Sequence, residues 1–216
     1  MTSPMKIGIL GSGEAGQALG RGFVGRGHDV RMGSRNPKSE GLATWLKQAK
    51  GKASIGTFEE AAKHGELLVL VTLGAAVNDV LRSAGPANFK GKVVIDVTNP
   101  LGGEDLVPFV GLMDSLGERV QRALPGAKVV KAFNTVPNTQ MVDPKFVGGV
   151  PEMPICGNDA AAKKAVAGIL KDFGWPGTID IGGIEGARWL EALVPLWVAV
   201  GMKIGRWDHA FKVVHG

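Results

Sequence analysis

Three glycines near the start of the chain have a spacing that suits chemistry on a nucleotide. Gly11, Gly13 and Gly16 form the pattern G-x-G-x-x-G directly after the apolar run 5–10. In such a turn the first glycine permits the tight bend, the second lets backbone approach a pyrophosphate, and the third lets the next helix press against the strand. The helix predicted over 15–26 directs its first backbone amides at the phosphates. This pattern predicts a dinucleotide site, with an ordinary packing turn as the alternative.

The residues after the second predicted strand, 28–33, indicate which dinucleotide is bound. Ser34, Arg35 and Lys38 stand where an enzyme that prefers NAD carries Asp or Glu for the ribose hydroxyls. A carboxylate repels a phosphate, whereas a hydroxyl, a guanidinium and an ammonium can donate hydrogen bonds to one. We therefore predict that the chain binds NADPH in preference to NADH. The alternative is that Arg35 and Lys38 are solvated charges at a helix entrance.

Apolar runs alternate with helix-compatible segments along the rest of the chain. Continuous apolar runs are typical of strands that are covered on both faces. The predicted strands cover 52–55, 67–72, 92–97, 128–132, 154–157 and 178–181. The predicted helices cover 40–50, 114–124, 159–173 and 185–204, and a small helix is predicted to begin after Thr57, because Thr57 and Glu60 have the spacing of a capping box. This order predicts an α/β fold with a doubly wound parallel sheet, a Rossmann-like domain, whose ligands gather beyond the carboxyl ends of the strands.

Three segments are expected to face that crevice because each follows a predicted strand: 72–77, which begins at Thr72, then 98–101 and 133–138. Within them, Asn99 and Asn134 could each offer an amide to the nicotinamide carboxamide or to an acceptor. The alternative for both is an asparagine that only forms a turn at a strand end.

The chain is predicted to divide into an NADP-binding domain, 1–183, and a short helical element, 184–216, that completes the cleft. Apolar residues such as Leu190, Trp197 and Met202 occupy several sides of that last helix, so we expect it to pack on the core and to form a homodimer. Arg188 and Glu191 lie one helical step apart and could pair. Alternatively, Arg188 could face an anionic acceptor tail.

Composition narrows the remaining possibilities. The formal net charge is +5, but the cations are scattered, so nucleic-acid binding is not expected. The longest apolar stretch, 192–202, is shorter than the ~20 residues of a membrane span. Cys156 is the single cysteine and lies in an apolar run, which predicts a buried thiol, and no His or Cys spacing suggests a metal site. With no leader pattern at the N-terminus, a cytoplasmic protein that acts on a small-molecule redox acceptor is predicted.

Four segments carry a resemblance to a known family. They are Gly-Ser-Arg at 33–35, Lys-Ala-Phe-Asn-Thr-Val-Pro at 131–137, Pro-Ile-Cys-Gly-Asn-Asp at 154–159 and Ala-Arg-Trp-Leu-Glu-Ala-Leu at 187–193. In this combination the chain resembles the coenzyme F420-dependent NADP oxidoreductase family over nearly its full length. Rossmann domains at large do not share the later segments.

The resemblance implies that a hydride passes directly between C4 of the nicotinamide and C5 of a deazaflavin, with the two carbons held about 3–3.5 Å apart in a dry slot. It also implies particular contacts. The phosphates and the nicotinamide are expected near Ser12, Gly13, Glu14 and Ala15, the 2′-phosphate at Ser34, Arg35 and Lys38, and further contacts at Leu73, Val77, Pro100 and Asn138.

Asn134 departs from the family pattern, because the archaeal F420 enzymes carry His in this segment. Asn134 is therefore the candidate catalytic residue only in a positioning role. The acceptor stays open: F420 or a flavin-like molecule is the leading choice, and another small acceptor such as a flavin, a metal, or an imine or carbonyl compound is the alternative. A non-catalytic module that senses NADPH is the second alternative.

Overall fold

The computed structural model describes residues 3–102, 107–108 and 113–214. Its strands are β1 (Lys6–Leu10), β2 (Asp29–Gly33), β3 (Ala53–Gly56), β4 (Leu67–Leu70), β5 (Val93–Asp96), β6 (Leu101–Gly102), β7 (Val107–Pro108), β8 (Lys128–Lys131), β9 (Met153–Gly157) and β10 (Thr178–Asp180). Its helices are α1 (Glu14–Gly25), α2 (Glu40–Gln48), α3 (Phe58–His64), α4 (Val77–Ala84), α5 (Leu116–Ala123), α6 (Ala160–Asp172) and α7 (Ala187–Ile204).

Eight strands form one sheet in the order β10-β9-β8-β5-β4-β1-β2-β3. Every neighbouring pair from β3 to β8 is parallel, so these six strands all end at the same edge of the sheet. Helices cover both faces: α1, α2 and α6 contribute to one apolar core cluster, and α3, α4 and α5 contribute to the other. The predicted doubly wound, Rossmann-like sheet is confirmed.

Two strands depart from the purely parallel arrangement. β9 pairs antiparallel with β8, and β10 runs parallel to β9. A parallel neighbour of β8 would need a crossover, usually a helix, to return the chain to the opposite edge. The connection 132–152 contains only a short 3₁₀ turn, Asn138–Gln140, so the chain stays at the carboxyl edge before it enters β9. This long loop is therefore available to line the crevice.

The predicted elements agree with the observed ones to within two residues at each end. The start of α3 shows this agreement in its individual hydrogen bonds. Thr57 and Glu60 form the predicted capping box: the Glu60 amide donates to Thr57 Oγ1 over 3.2 Å, and the Thr57 amide donates to Glu60 Oε2 over 2.7 Å. The bonds from Thr57 hold the pKa of the Glu60 carboxyl below its ordinary value.

The last helix, α7, packs on the core along one face only. Its residues Ala187, Leu190, Glu191 and Val194 are buried, whereas Trp189, Leu196, Met202 and Ile204 are exposed. Among the helices of the described residues, none combines the length and the apolar composition that crossing a lipid bilayer requires.

Candidate active site

The glycine turn between β1 and α1 has the geometry that each of its three positions requires. Gly11 has a φ of +141°, and a Cβ there would lie 2.1 Å from the Val71 carbonyl oxygen. A Cβ on Gly16 would lie 2.2 Å from the Gly11 carbonyl oxygen, so the start of α1 packs directly on the turn. At Gly13 a Cβ would meet nothing within 4 Å. The first and third glycines thus close the turn, and the second leaves its surface open.

Gly13, whose surface is open, also lies at the N-terminus of α1. Gly13 occupies the N-cap position, and no side chain caps the helix there. The first amides of a helix carry a partial positive charge and need acceptors. This twelve-residue helix therefore presents donors to an anion at the rim of the cleft, as a pyrophosphate site requires.

The role of Gly13 can be tested because its environment is open. Gly13→Ala should keep the fold but place a methyl group where the pyrophosphate approaches, which should weaken NADPH binding about tenfold. Isothermal titration calorimetry measures the dissociation constant, and thermal unfolding checks the fold. Gly25→Ala is the matched control, since Gly25 ends the same helix with nothing within 4 Å of a Cβ. Equal NADPH affinity in the two variants would contradict the assignment.

The end of β2 presents a hydroxyl and a guanidinium to the same cleft. Ser12 Oγ donates to Ser34 Oγ over 3.0 Å, and the Asn36 amide donates to the same Ser34 oxygen over 3.1 Å. Ser34 is thereby held in place. Arg35 is exposed and lines the cleft, and within the described part of the chain its guanidinium has no hydrogen bond or ion pair. It is free to bind an anion.

A cleft of about 880 Å³ collects most of the predicted binding residues. Those that line it are residues 11–15, Ser34, Arg35, Thr72, Leu73, Asn99 and Asn138. Asn138 Nδ2 donates to Glu14 Oε2 over 2.8 Å, which ties the loop after β8 to the start of α1. The carboxyl ends of β1, β2, β4, β5 and β8 thus contribute to one surface, as expected for this topology.

Five predicted residues lie outside that lining: Gly16, Lys38, Val77, Pro100 and Asn134. Gly16 contacts the turn, Val77 and Pro100 are buried, and Lys38 is exposed beyond the rim. Sequence spacing placed them near the cleft but could not determine which way each side chain points. Their roles in binding stay predictions.

Asn134 is buried beneath the cleft and contacts α7. Its side chain is 4% exposed, and Nδ2 donates to the Leu190 carbonyl. Phe133, at a φ of +65°, lines the cleft in its place. The Asn134 carbonyl accepts a bond from Asn99 Nδ2 over 3.0 Å. That bond orients the Asn99 amide, and its Oδ1 is buried without a hydrogen-bond partner among the described residues.

Two tryptophans also line the cleft, and sequence reasoning did not assign them to it. Trp197 lies on α7, and Trp207 follows the helix after Gly205, whose left-handed φ of +66° ends it. Their ring centroids are 5.7 Å apart, and Trp197 stacks on His209 at 4.6 Å with planes 16° apart. The only signal available in the sequence was two tryptophans on either side of a helix-ending glycine.

A cluster of buried charges lies below the cleft and joins α7 to the sheet. Lys131 Nζ is 3.0 Å from Asp96 Oδ2 and 3.0 Å from Glu191 Oε1, and all three side chains are at most 4% exposed. The Leu116 and Gly117 amides, at the start of α5, donate to Glu191. Burial alone would lower the pKa of the Lys131 ammonium, but the carboxylates of Asp96 and Glu191 raise it above its ordinary value.

The predicted pair of Arg188 with Glu191 was wrong, and the alternative that Arg188 faces an anionic acceptor tail stays a prediction. Arg188 pairs with Glu118, through Nε to Oε2 at 2.8 Å and Nη2 to Oε1 at 2.6 Å, and this pair lowers the pKa of the Glu118 carboxyl. Glu191 pairs with Lys131 instead. Residues three apart on a helix can contact each other, but each of these two forms its ion pair with a residue of a neighbouring element. Arg188 is therefore already neutralised by Glu118.

Cys156 is confirmed as a buried thiol. It is 0% exposed, and burial raises its pKa to about 12. The thiolate, which is the nucleophilic form, is therefore scarce at neutral pH. Cys156 packs against Ala187 and Leu190, so it contributes to the contact between β9 and α7.

Several known proteins are similar to this chain in sequence and in fold. A family model described as NADP oxidoreductase, coenzyme F420-dependent, matches residues 6–100. The chain is 30% identical over 211 residues to the F420-dependent NADP reductase of Methanocaldococcus jannaschii, which covers 92% of this chain and 93% of the relative. It is 32% identical over 198 residues to metalloreductase STEAP3 of Rattus norvegicus, which covers 89% of this chain but 38% of the rat protein.

A solved structure extends the similarity to the whole described fold. A protein from Arthrobacter sp. FB24, proposed to be an F420-dependent NADP reductase, superimposes with a TM-score of 0.93 and 37% sequence identity. The match covers 98% of this chain and 100% of the Arthrobacter chain.

Proposed function

The chain belongs to the family described as NADP oxidoreductase, coenzyme F420-dependent. On that basis we propose that its cleft transfers a hydride directly between NADPH and a deazaflavin or flavin-like acceptor. The single observation that supports this most is that one cleft joins the glycine turn, the free Arg35 guanidinium and the Trp197–Trp207 pair. A dinucleotide and a planar acceptor could therefore meet on one surface.

The ionisable side chains of the described cleft suit a hydride transfer. They are Glu14 and Arg35, and Glu14 already accepts a hydrogen bond from Asn138. When bound, the nicotinamide supplies the hydride with its two electrons, and the reduced acceptor takes a proton from water. This chemistry needs no protein acid or base, so positioning and the exclusion of water supply the catalysis.

The residues divide between the two ends of the dinucleotide. We propose that the glycine turn and the first amides of α1 hold the pyrophosphate, while Ser34, Arg35 and Lys38 hold the 2′-phosphate. At the other end, Asn99 lines the cleft, and we propose that its buried, unpartnered Oδ1 accepts a bond from the carboxamide N–H of the nicotinamide after a small rotation of the side chain. Thr72, Leu73 and Asn138 would contact the cofactor, and Val77, Pro100 and Asn134 would support them from below.

The acceptor is expected to lie against the exposed tryptophan. Trp207 is 49% exposed and lies at the cleft, so a flat ring system can stack on its face. The relative named as a metalloreductase supports a second class of acceptor, a metal complex. The acceptor panel must therefore contain F420, FMN and a ferric chelate.

Stopped-flow absorbance at the NADPH band tests this proposal. Mixing the enzyme and NADPH with F420 should remove the NADPH absorbance at a rate that saturates with F420 concentration. Faster oxidation with FMN would identify a flavin as the acceptor, and faster oxidation with the ferric chelate would favour the second acceptor class. Bound NADPH that stays reduced with all three acceptors would contradict hydride transfer and favour a module that senses NADPH.

Trp207→Ala should weaken binding of the acceptor without weakening binding of the cofactor. We expect the KM for F420 to rise about fivefold, because one stacking contact is worth about 1 kcal/mol, while the dissociation constant for NADPH stays unchanged. Trp189→Ala, shown by light scattering to keep the wild-type assembly, is the matched control, since Trp189 is 59% exposed on α7 and does not line the cleft. An equal rise of KM in both variants would contradict the role of Trp207.

We also propose that residues 184–216 form a homodimer interface as well as one wall of the cleft, in a cytoplasmic enzyme. The apolar side chains that α7 leaves exposed, among them Trp189, Leu196 and Met202, support this. Leu196→Glu should convert the dimer to a monomer in gel filtration with light scattering. A wild-type protein that elutes as a strict monomer would contradict the proposal.

A further inference from the structure

A second cavity lies beside the cleft, on the other side of the segment that follows α7. It has a volume of about 330 Å³ and is formed by residues of the loop 145–151 and of the segment 204–212. We name it the basic groove after its cations, Lys145, Arg206 and Lys212. None of these three belongs to the dinucleotide site described above.

The charges of the basic groove leave an excess of cation. Arg206 pairs at 2.7 Å with Asp208, which among the described residues is the single carboxylate that lines the groove. Lys212 Nζ donates to the Gly148 carbonyl over 3.0 Å, which leaves its charge unneutralised. Lys145 is exposed, and within the described residues its ammonium has no ion pair. Two uncompensated ammonium groups thus face one cavity.

The loop backbone is shaped to let these cations approach. Gly149 has a φ of +83°, and a Cβ there would come within 3.0 Å of Lys212 Nζ. At the neighbouring Gly148 a Cβ would meet nothing within 4 Å. Gly149 therefore leaves room between the loop and the Lys212 ammonium, where a side chain would occupy the space.

One short segment connects the basic groove with the acceptor side of the cleft. Arg206 and Asp208 line the groove, and Trp207, between them in sequence, lines the cleft. His209 lines the groove and stacks on Trp197, which lines the cleft. Because consecutive Cα atoms are about 3.8 Å apart, the backbone of Trp207 lies directly beside two residues that line the groove.

We propose that the basic groove binds the phosphate- or carboxylate-bearing tail of the redox acceptor whose ring lies on Trp207. This inference rests on the proposed function, and it adds a specificity site for the acceptor. Ammonium groups recognise phosphate and carboxylate through charge-assisted hydrogen bonds. The enzyme thereby selects a deazaflavin or flavin that carries an anionic side chain over the same ring without one.

The test compares ligand pairs that share a ring and differ in the anionic tail. The pairs are F420 with its phosphate-free deazaflavin fragment, and FMN with riboflavin. Fluorescence titration of the whole protein at low salt gives the four dissociation constants. The wild type should bind the tailed member of at least one pair about tenfold more tightly, and this preference should decline as salt is added.

Lys145→Gln/Lys212→Gln should reduce that preference about fivefold, because two ammonium groups are lost, while the affinity for the tail-free ring stays unchanged. Lys145→Gln alone should reduce it about twofold, and this variant removes no bond that Lys212 makes to the loop. Lys164→Gln/Lys171→Gln is the matched control. It removes the same charge from exposed positions on α6, outside the groove.

The outcomes separate the groove from the proposed function. Three results would overturn the groove assignment. The preference for the tailed ligand could be the same in the wild type and the lysine variants, or the variants could lose affinity equally for tailed and tail-free ligands, or the wild type could bind neither pair. A loss of NADPH affinity in the lysine variants would also overturn it, since the tail would then belong to the dinucleotide. Tail-dependent binding without NADPH oxidation contradicts hydride transfer and leaves the groove assignment standing.

Discussion

Lys131→Met is expected to lower the free energy of unfolding by about 3–5 kcal/mol. The substitution leaves the carboxylates of Asp96 and Glu191 buried without the ammonium that lies 3.0 Å from each. Uncompensated buried charge costs far more than a lost surface pair, because water cannot solvate it. Urea unfolding followed by circular dichroism measures the difference.

Two further variants make the Lys131 prediction specific. Lys128→Met is the control on the same strand, because its pair with Asp159 is partly exposed, and we expect it to cost at most about 1 kcal/mol. The triple variant Lys131→Met/Asp96→Asn/Glu191→Gln removes all three charges and should recover much of the loss. A Lys131→Met protein as stable as Lys128→Met would contradict the importance of the buried cluster.

The pH dependence of this effect follows from the direction of the pKa shift. The pKa of Lys131 is raised in the folded state, so the stabilisation is fully present below the unfolded value of about 10.4 and is lost as the pH rises through the folded value. The difference in unfolding free energy between the wild type and Lys131→Met should therefore be constant at neutral pH and shrink above about pH 10.5.

Arg35→Ala should raise the dissociation constant for NADPH by about ten- to hundredfold and leave that for NADH unchanged. The guanidinium lies at the cleft with no partner of its own in the described structure, so a 2′-phosphate would not have to displace one. A hydrogen bond between two charged groups contributes about 1.5–3 kcal/mol, which sets the expected range. Calorimetric titration with both cofactors measures it.

Arg82→Ala is the control for Arg35, because it removes an exposed arginine from α4, where it pairs with Asp79 at 3.3 Å. It should leave both cofactor affinities unchanged. An equal loss for NADPH and NADH in Arg35→Ala would show that Arg35 supports the site generally, and would refute its role in choosing the cofactor.

The parts of the fold that local sequence patterns determine were predictable. Apolar runs identified the strands, the capping box at Thr57 identified a helix start, and the glycine spacing identified the turn. Contacts between distant segments were not predictable in this way. β9 runs antiparallel to β8 because the loop 132–152 has no crossover helix, and such a loop carries no local signal for the direction of the next strand.

The same distinction applies to the site. Ser34 and Arg35 were predicted because they follow a strand at a fixed distance from the glycine turn. Lys131 pairs with residues 35 and 60 positions away in the sequence, so only the tertiary structure reveals its partners. The tryptophans are a similar case: Trp207 joins the cleft because the chain turns back after Gly205, and an apolar pattern predicts burial without specifying the surface it covers.

The most direct test of hydride transfer uses an isotope label to follow the hydrogen that leaves C4 of the nicotinamide. NADPH carrying deuterium at both C4 positions is oxidised by the enzyme with F420 in ordinary water, and the reduced product is analysed by mass spectrometry and NMR. The account predicts one deuterium at C5 of the reduced deazaflavin, because the hydride passes directly between the two rings. Reduced F420 in which the hydrogen added at C5 comes from water, so that C5 carries no deuterium, would contradict direct hydride transfer.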